Sequence, residues 1–457
     1  MAKEVGPPQV PHVTPEMFGW TPETDPVETA SIINIALAQA VERGVPFFDN
    51  AVRRVAGTIR LGGKVVMEFG TKHRWIADYS NLSRFAVVEE NLAAGVTVDP
   101  RHVFVDTANA RGSILRGPMR LTGARISDMT MASRRAIPSS LVALTASNAN
   151  PSAEVSIESL TIEGFGFGFY QGSQREPGRN LLPYTRLRVG TAVFRFCGMA
   201  IETGEWGNGL DDATFDILRI SRCGDAALLR GTDLNAASLF YYGLRPAEDA
   251  EAGTVNLQSG SNVAILRGFT AEPGMVLAVH PGRDRPGFVA EIEQLDGDRA
   301  ILSHRATQDY SGAFLIDPPS LIAQNTAINV MHYYIEGIHD LPLALRSRSK
   351  ATIQDLKISR GSFGARGGAP VSVMGRQVSV DLNLNPRSVE NPMVAGMVGL
   401  LTANAEVAGR IVSGARLGAE NAAVLDTRPI NVGRGRPSSA IQGYYVDTAG
   451  TLPIVEM

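Results

Sequence analysis

Two short stretches near the middle of the chain repeat each other. Arg195-Phe-Cys-Gly-Met-Ala-Ile201 is matched by Ser221-Arg-Cys-Gly-Asp-Ala-Ala227, so that Cys197 and Cys223 occupy equivalent positions. Each copy is typical of a short apolar strand, a Cys-Gly turn and a second short strand. A unit that repeats in this way indicates a solenoid, in which successive coils stack along one axis. We therefore expect both thiols to lie in the core as small buried groups.

The composition favours β-structure with frequent turns. The 457 residues include 47 glycines and 26 prolines, interspersed with short runs of Val, Ile, Leu and Thr. Since no long helical pattern separates these runs, alternating βα units are excluded and an all-β fold is predicted. The predicted early strands are Val45–Phe48, Gly57–Leu61, Val65–Phe69, His102–Val105, Ser113–Leu115, Met119–Leu121, Ala124–Met131 and Val155–Ile162.

One long helix is predicted, from Pro26 to Arg43. Asp25 is a suitable N-cap, Pro26 suits the first helical position, and Gly44 ends the pattern. The residues that form its apolar face are Ile32, Ile33, Ala36, Leu37 and Ala40.

Charge and cysteine content exclude several classes of protein. The net charge is −3, from 43 basic and 46 acidic residues, so a nucleic-acid partner is not expected. Two cysteines cannot supply a disulfide framework. No apolar run is long enough for a membrane helix, and residues 1–8 lack the apolar segment of a signal peptide. We therefore expect synthesis in the cytoplasm, with no membrane partner.

Three segments carry a resemblance to a known superfamily. They are Val13-Thr-Pro-Glu-Met-Phe-Gly19 followed by a helix, Arg222-Cys-Gly-Asp-Ala-Ala-Leu-Leu-Arg-Gly-Thr-Asp-Leu-Asn235, and Val330-Met-His-Tyr-Tyr-Ile-Glu-Gly337. Their order resembles the pectate-lyase-like right-handed parallel β-helix proteins, in the branch of phage tailspikes and depolymerases. The resemblance implies a homotrimer in the virion that contacts host surface polysaccharide and phage tail or baseplate proteins. Secretion is the alternative location.

The predicted organisation follows from these patterns. Residues 1–12 form an N-terminal arm, and residues 13–50 form an N-terminal cap with the helix at 26–43. Residues 51–390 form the parallel β-helix, and residues 391–457 form a C-terminal cap or subunit contact. Residues 270–304 alternate apolar and polar positions around the hairpin signal Asp296-Gly297, which predicts an inserted antiparallel β module.

The first candidate site is the polar link between the two Cys-Gly copies. Glycoside hydrolysis requires two carboxylates, for which Glu205, Asp211 and Asp212 are candidates. Trp206 is placed to stack on a sugar ring. The alternative is an ordinary turn, since Asp and Gly are common turn residues.

The second candidate site is a later strand. Side chains alternate along a strand, so His332, Tyr334 and Glu336 should share one face, opposite Tyr333 and Ile335. Glu336 is the candidate acid or base, His332 its partner and Tyr334 a stacking residue, while a solvated face remains the alternative. Further candidates for substrate binding are Asp340, Tyr241 and Tyr242.

Three functions remain open at this point. The first is hydrolysis of a host polysaccharide, with no cofactor. The second is a lyase on a uronate polymer, in which His332 with Tyr334 removes a proton and Asp211 with Asp212 can hold Ca²⁺. The third is a receptor-binding or structural tail protein without catalysis. No zinc spacing, phosphate loop or serine-nucleophile motif is present in the sequence.

Overall fold

The computed structural model describes most of the N-terminal two thirds of the chain and separate strands beyond it. The described residues are 12–88, 101–110, 112–123, 141–145, 154–171, 185–203, 210–223, 225–230, 233–242, 253–268, 276–279, 288–302, 305–306, 308–316, 321–324, 326–336, 343–345, 349–359, 371–373, 377–389, 396–400, 406–413, 423–426 and 440–447. The chain divides into two compact units. Unit 1 comprises Met1–Ser127, Ile137–Cys197 and Thr203–Asp216, and the remainder is unit 2.

Helix α1 (Pro26–Arg43) lies where the sequence predicts it. The Asp25 carboxylate accepts a hydrogen bond of 2.8 Å from the backbone of Val27, and Gly44 ends the helix in the left-handed conformation. All five residues of the predicted apolar face are buried. Within the described residues, no helix is long and apolar enough to cross a membrane.

Strands make up most of the described structure. In chain order they are β1 (Phe47–Asp49), β2 (Val52–Val55), β3 (Ile59–Gly62), β4 (Val66–Phe69), β5 (Arg74–Ala77), β6 (Ala86–Val88), β7 (Arg101–Asn109), β8 (Ser113–Thr122), β9 (Leu141–Thr145), β10 (Glu154–Glu163), β11 (Phe167–Gln171), β12 (Thr185–Arg195), β13 (Met199–Thr203), β14 (Leu210–Ser221), β15 (Asp225–Arg230), β16 (Asp233–Tyr242), β17 (Gly253–Leu257), β18 (Val263–Arg267), β19 (Val276–Val279), β20 (Phe288–Asp296), β21 (Arg299–Leu302), β22 (Tyr310–Ile316), β23 (Leu321–Gln324), β24 (Ala327–Glu336), β25 (Leu343–Leu345), β26 (Ser349–Ser359), β27 (Val371–Val373), β28 (Gln377–Val389), β29 (Gly396–Leu400), β30 (Glu406–Ser413), β31 (Ala423–Asp426) and β32 (Ala440–Asp447). Short 3₁₀ helices span Pro15–Phe18 and Leu82–Arg84.

Both units are built on parallel strands that belong alternately to two sheets. In unit 1, β8, β10 and β12 pair in one sheet, while β7, β9 and β11 pair in the other. In unit 2, β16, β24, β26, β28, β30 and β32 pair in one sheet, and β15, β23, β25, β27, β29 and β31 in the other. The all-β prediction is confirmed, and the alternation is consistent with a β-helix or a similar solenoid. Parallel pairing in unit 2 continues to Asp447, beyond the residue 390 at which the sequence placed the end of the solenoid.

The long strands are bent. Their alternation of buried and solvent-facing residues is interrupted by two consecutive residues that are not buried, so each long strand consists of two short segments meeting at a corner. These pairs are Glu158 and Ser159, Gly190 and Thr191, Ala237 and Ser238, and Met331 and His332. The bend explains why the two runs predicted at Ser113–Leu115 and Met119–Leu121 form the single strand β8.

A closed antiparallel barrel lies between β16 and β23 in the chain. Its strand order is β17-β18-β21-β20-β19-β22. It spans residues 253–316 and is therefore wider than the predicted insertion at 270–304. Asp296 pairs with Arg299, and Gly297 has a φ of 62°, so the hairpin is located at the predicted Asp-Gly turn. The buried core of the barrel consists of Val255, Leu257, Ala264, Leu266, Leu277, Val279, Ala290, Ile292, Ala300, Leu302, Ala306 and Tyr310.

The two Cys-Gly copies adopt the same local structure. Cys197 and Cys223 are both buried free thiols, as predicted. The residue before each, Phe196 or Arg222, has a φ of 53°, a left-handed conformation that is uncommon outside glycine. Each thiol also donates to the carbonyl two residues earlier, at 3.5 Å for Cys197 and 3.6 Å for Cys223. The repeat is therefore a repeat of backbone conformation.

The segment Val13–Gly19 precedes α1. Val13 makes a single parallel bridge with Phe47. The 3₁₀ helix Pro15–Phe18 follows, and Gly19 caps it with a φ of 87°. Side chains of Glu16 and Trp20 hold the segment against Arg53.

A buried ionic cluster joins the first strands of unit 1, and the sequence patterns did not reveal it. Asp49, Arg53 and His73 are all almost inaccessible to solvent. The Nε of Arg53 lies 3.0 Å from both carboxylate oxygens of Asp49, and the indole of Trp75 donates to the same carboxylate at 2.7 Å. His73 places its Nδ1 3.6 Å from that carboxylate. Buried charges are tolerated when they are paired and hydrogen-bonded in this way.

Arg53 extends this cluster to the N-terminal segment. Its guanidinium donates to Glu16 at 2.6 Å and lies 3.7 Å from the centroid of the Trp20 ring. Glu16 belongs to the 3₁₀ helix, so one arginine connects the segment before α1 to β1 and β5. We refer to Glu16, Trp20, Asp49, Arg53, His73 and Trp75 as the cap cluster.

The cap cluster should lose stability in acid in two stages. Burial lowers the pKa of His73 despite the opposing effect of Asp49, while Arg53 and Arg120 lower it further. Because the unfolded chain then takes up a proton that the folded chain refuses, stability falls as the pH drops below about 6.5. Burial raises the pKa of Asp49, but His73 and Arg53 outweigh it, so the pKa of the carboxyl is lowered. Its contribution is lost only below about pH 3.8, as the pH approaches the folded pKa.

We expect His73→Gln to remove the first stage. The measurement is the urea midpoint followed by tryptophan fluorescence at about pH 7.5 and about pH 5. The matched control is His12→Gln, because His12 is a partly exposed histidine of the same unit. A wild-type midpoint that stays constant over this pH range would contradict the prediction.

Candidate functional site

The second half of β16 and β24 presents a solvent-facing row of aromatic residues. After the bend, Phe240 and Tyr242 alternate with the buried Leu239 and Tyr241, and Tyr334 follows the same pattern in β24. β16 and β24 are neighbours in one parallel sheet, with Phe240 paired to Tyr334. Parallel pairing places side chains of adjacent coils about 4.8 Å apart, so rings on one face come into contact.

The three rings form a continuous patch in unit 2. The centroids of Phe240 and Tyr242 are 6.4 Å apart with nearly parallel planes, at 4°. Tyr334 lies 6.0 Å from Phe240 and 5.8 Å from Tyr242, tilted to both. Each ring is half-buried, so one part packs against its neighbours and another part faces solvent. We call Phe240, Tyr242 and Tyr334 the aromatic platform.

Polar and charged groups border the aromatic platform. Arg219, an exposed residue of β14, places its guanidinium 5.1 Å from the centroid of Phe240. On the adjoining row, His332 and Asp355 are register partners, and the imidazole Nδ1 lies 3.3 Å from the carboxylate of Asp355. The carboxylate fixes the orientation of an exposed imidazole, which can then exchange a proton or a hydrogen bond with a ligand.

The backbone register places two further ionisable residues beside the platform. Glu336 pairs with Tyr242 across β16 and β24, and Lys357 pairs with Tyr334 across β24 and β26. The row that contains the rings therefore runs Phe240, Tyr334, Lys357, with Arg219 over the first ring. The strand positions are described, whereas the side chains of Glu336 and Lys357 lie outside the described part of the structure.

The sequence predicted that His332 and Tyr334 share one face of β24, opposite Tyr333 and Ile335, and the structure agrees. His332 and Tyr334 face solvent, while Tyr333 and Ile335 are buried. Tyr242 joins Tyr334 in the platform. Tyr241 was also expected there, and this expectation is wrong because only 2% of Tyr241 is exposed. Adjacent residues of a strand point to opposite faces, so Tyr241 and Tyr242 cannot both reach the same ligand.

The polar link between the Cys-Gly copies is described only in part. Glu205, Trp206 and Asp340 lie outside the described residues, as does the side chain of Asp211. Asp212 is half-buried in β14 and accepts a hydrogen bond of 3.3 Å from the hydroxyl of Thr214. Residues 205–212 belong to unit 1, whereas the aromatic platform belongs to unit 2. The aromatic platform and the described side chains that border it all belong to unit 2.

Three contributors to the site were not predicted from the sequence: Arg219, Phe240 and Asp355. Phe240 could have been found from the strand alternation that identified Tyr334. The other two depend on which strands are neighbours, because Arg219 and Asp355 approach the platform from β14 and β26. Among the described side chains, no group of three or more His, Cys, Asp or Glu residues is arranged to hold a metal ion.

No protein-family model matches this chain, and a search of curated proteins finds no match.

Proposed function

We propose that this protein binds polysaccharide on the solvent-facing side of unit 2. The observation that carries the proposal is the aromatic platform, in which three half-buried rings on adjacent coils face solvent together and are bordered by Arg219 and His332. Exposed aromatic clusters are uncommon on soluble surfaces unless they contact a partner. Aromatic faces pack against the apolar faces of sugar rings, while bordering polar groups bond the hydroxyls.

The repeating geometry also suits a polymer. Adjacent coils repeat the same face about every 4.8 Å, which approximates the length of one sugar residue. We propose that the fold is a right-handed parallel β-helix of the tailspike and depolymerase type, acting as a trimer in a phage tail and binding host surface polysaccharide. The alternating parallel strands and the bent long strands support a β-helix, and the resemblance of the three sequence segments supports the remaining statements.

Cleavage by hydrolysis is a second proposal, supported by the register position of Glu336 beside Tyr242. A carboxylate at the edge of the platform would act as the acid or base on a bound glycosidic bond. Hydrolysis also needs a second carboxylate. Asp355 is already paired with His332. Binding is therefore the conclusion that the described residues support best.

The replacement Tyr242→Ala with Tyr334→Ala should weaken polysaccharide binding about 30-fold, the equivalent of about 2 kcal/mol for two stacking faces. Binding is measured by isothermal calorimetry or by a glycan array with the full chain. The matched control is Met331→Ala, which removes an exposed large side chain from the same strand outside the platform. Unchanged thermal unfolding of both variants establishes that the surface alone was altered.

The products of incubation with the bound polysaccharide distinguish the three functions. New reducing ends without ultraviolet absorbance indicate hydrolysis, and unsaturated absorbing ends indicate a lyase. Binding without either product indicates a receptor-binding protein. If wild-type protein and the double tyrosine variant bind all glycans equally, the platform is not a sugar site and the proposal fails.

A further inference from the structure

Arg219 has an unusual position for a surface arginine. Several exposed arginines of unit 1 form ion pairs, as Arg195 does with Glu163 at 2.6 Å and Arg54 with Asp78 at 2.9 Å. In the part of the chain that the structure describes, no carboxylate lies within ion-pair distance of Arg219, whose recorded contact is the Phe240 ring. Its guanidinium is therefore available to bond a ligand.

The contact with the Phe240 ring favours one orientation of the Arg219 guanidinium. A guanidinium over an aromatic face gains a cation–π attraction and keeps its edge donors directed away from that face. Those donors match two oxygens of one anionic group, which accounts for the frequent use of arginine for carboxylates and phosphates. The ring thus holds the arginine at one end of a surface that is already suited to sugars.

The charged residues along the row of Phe240, Tyr334 and Lys357 favour an anionic ligand over a neutral sugar. Arg219 lies at one end of the row, and Lys357 occupies the register position beside Tyr334 at the other. The Asp355 carboxylate lies in contact with the His332 imidazole, and Glu336 lies in register with Tyr242 on a separate row. The row that carries Phe240 and Tyr334 therefore has cationic residues at both ends.

We propose that the platform selects an acidic oligosaccharide and that Arg219 is the residue that determines this selectivity. This inference rests on the proposed function, because it requires that the platform binds sugar. It assigns Arg219 to the anionic group of a sugar residue, while Phe240 and Tyr334 contact the sugar rings. The shared chemistry is a pair of oxygens with negative charge, as in a uronate carboxylate or a sulfate ester.

The test compares ligands that differ only in charge. Wild-type protein is titrated with uronate oligosaccharides, with the same oligosaccharides after reduction of their carboxyl groups to alcohols, and with sulfated oligosaccharides of the same backbone. We expect the acidic ligands to bind about tenfold or more tightly than the carboxyl-reduced ones, the effect of charge-assisted hydrogen bonds. A preference for the uronate over the sulfate, or the reverse, identifies the anionic group.

The variant Arg219→Gln should bring this ratio close to one, because it lowers the affinity for the acidic oligosaccharides much more than the affinity for the reduced ones. Arg219→Lys should retain part of the preference, because it keeps the charge and loses the paired donors. The matched control is Arg267→Gln, an exposed arginine of the barrel, which should preserve the full ratio.

Different outcomes separate the two proposals. If wild-type protein binds reduced and acidic ligands equally, or Arg219→Gln keeps the preference, the selectivity inference is wrong while sugar binding stands. A loss of affinity for acidic and reduced ligands alike in Arg219→Gln assigns the arginine to shaping Phe240 and also overturns the inference. If wild-type protein binds no glycan in any of the three groups, both proposals are rejected.

Discussion

Asp49→Ala should lower the free energy of unfolding reported by the cap cluster by about 3–5 kcal/mol. The Asp49 carboxylate accepts hydrogen bonds from Arg53, Trp75 and the backbone of Ala51, and its side chain is fully buried. Among the described residues, removing it leaves Glu16, whose side chain is 50% exposed, as the ionic partner of the buried Arg53. A buried charge that loses its buried partner costs far more than the original pair contributes.

Tryptophan fluorescence can follow this loss directly. The chain has three tryptophans, and two of them, Trp20 and Trp75, belong to the cap cluster. In a Trp206→Phe background, the urea transition of the fluorescence therefore reports the cap cluster alone. Asp49→Asn should fall between wild type and alanine, because the amide keeps the shape and one acceptor oxygen while it loses the charge.

The matched control for Asp49 is Asp78→Ala. Asp78 also pairs with an arginine, Arg54, at 2.9 Å, but 70% of the Arg54 side chain is exposed. A pair of this kind contributes about 0–1 kcal/mol, so the control should cost much less. If both variants lowered the free energy of unfolding by the same amount, burial would not be the reason for the contribution of the cap cluster to stability.

Gly117→Ala is the second replacement with a large expected effect, about 3 kcal/mol or more. Gly117 lies at the bend of β8 with a φ of 76°, a conformation that costs other residues about 1–2 kcal/mol. An added Cβ would also overlap the backbone carbonyl of Phe69 on the neighbouring strand, which cannot move aside as a flexible side chain can. The backbone of Gly117 additionally donates to Glu158 at 2.8 Å, so a shift would lengthen this bond.

Gly112→Ala separates the cost of the left-handed backbone conformation from the cost of the overlap with Phe69. Gly112 has a similar φ of 65°, and nothing lies within 4 Å of the position its Cβ would take. It should therefore show the cost of the backbone conformation alone, about 1–2 kcal/mol. Thermal unfolding of both variants provides the comparison, and a loss for Gly117→Ala no greater than for Gly112→Ala would show that the close approach to Phe69 is relieved without cost.

The bend at Gly117 has a counterpart farther along the chain. At Gly190, in the corner of β12, an added Cβ would lie 2.6 Å from the carbonyl oxygen of Glu158. Glycine at these corners allows one coil to approach the next closely. The abundance of glycine, which indicated frequent turns, thus also reflects the spacing of coils within unit 1.

Local features of the structure could be predicted from the sequence. The helix Pro26–Arg43 depends on a cap, a proline, an apolar stripe and a terminal glycine, all within a few residues of one another. The Cys-Gly turns and the hairpin at Asp296-Gly297 are likewise set by neighbouring residues. The outward face of β24 followed from alternation, which requires only that the segment is a strand.

Features that depend on pairing between distant residues could not be predicted in the same way. The cap cluster combines Glu16, Asp49, Arg53 and His73, and no periodicity links these positions. The aromatic platform requires the register of β16 against β24. These two strands pair in the sheet, but the barrel lies between them in the sequence. The contact of Arg219 with Phe240 adds a third strand to the same arrangement.

The sequence alone therefore determined that this is an all-β chain with one capped helix and repeated coils, since hydrophobic alternation and turn chemistry act over short distances. The tertiary structure decided which side chains meet on its surface. In a stack of parallel strands, a shift of one residue moves every side chain to the opposite face. The register between coils therefore determines that Tyr242 lies beside Tyr334 and that Tyr241 is buried.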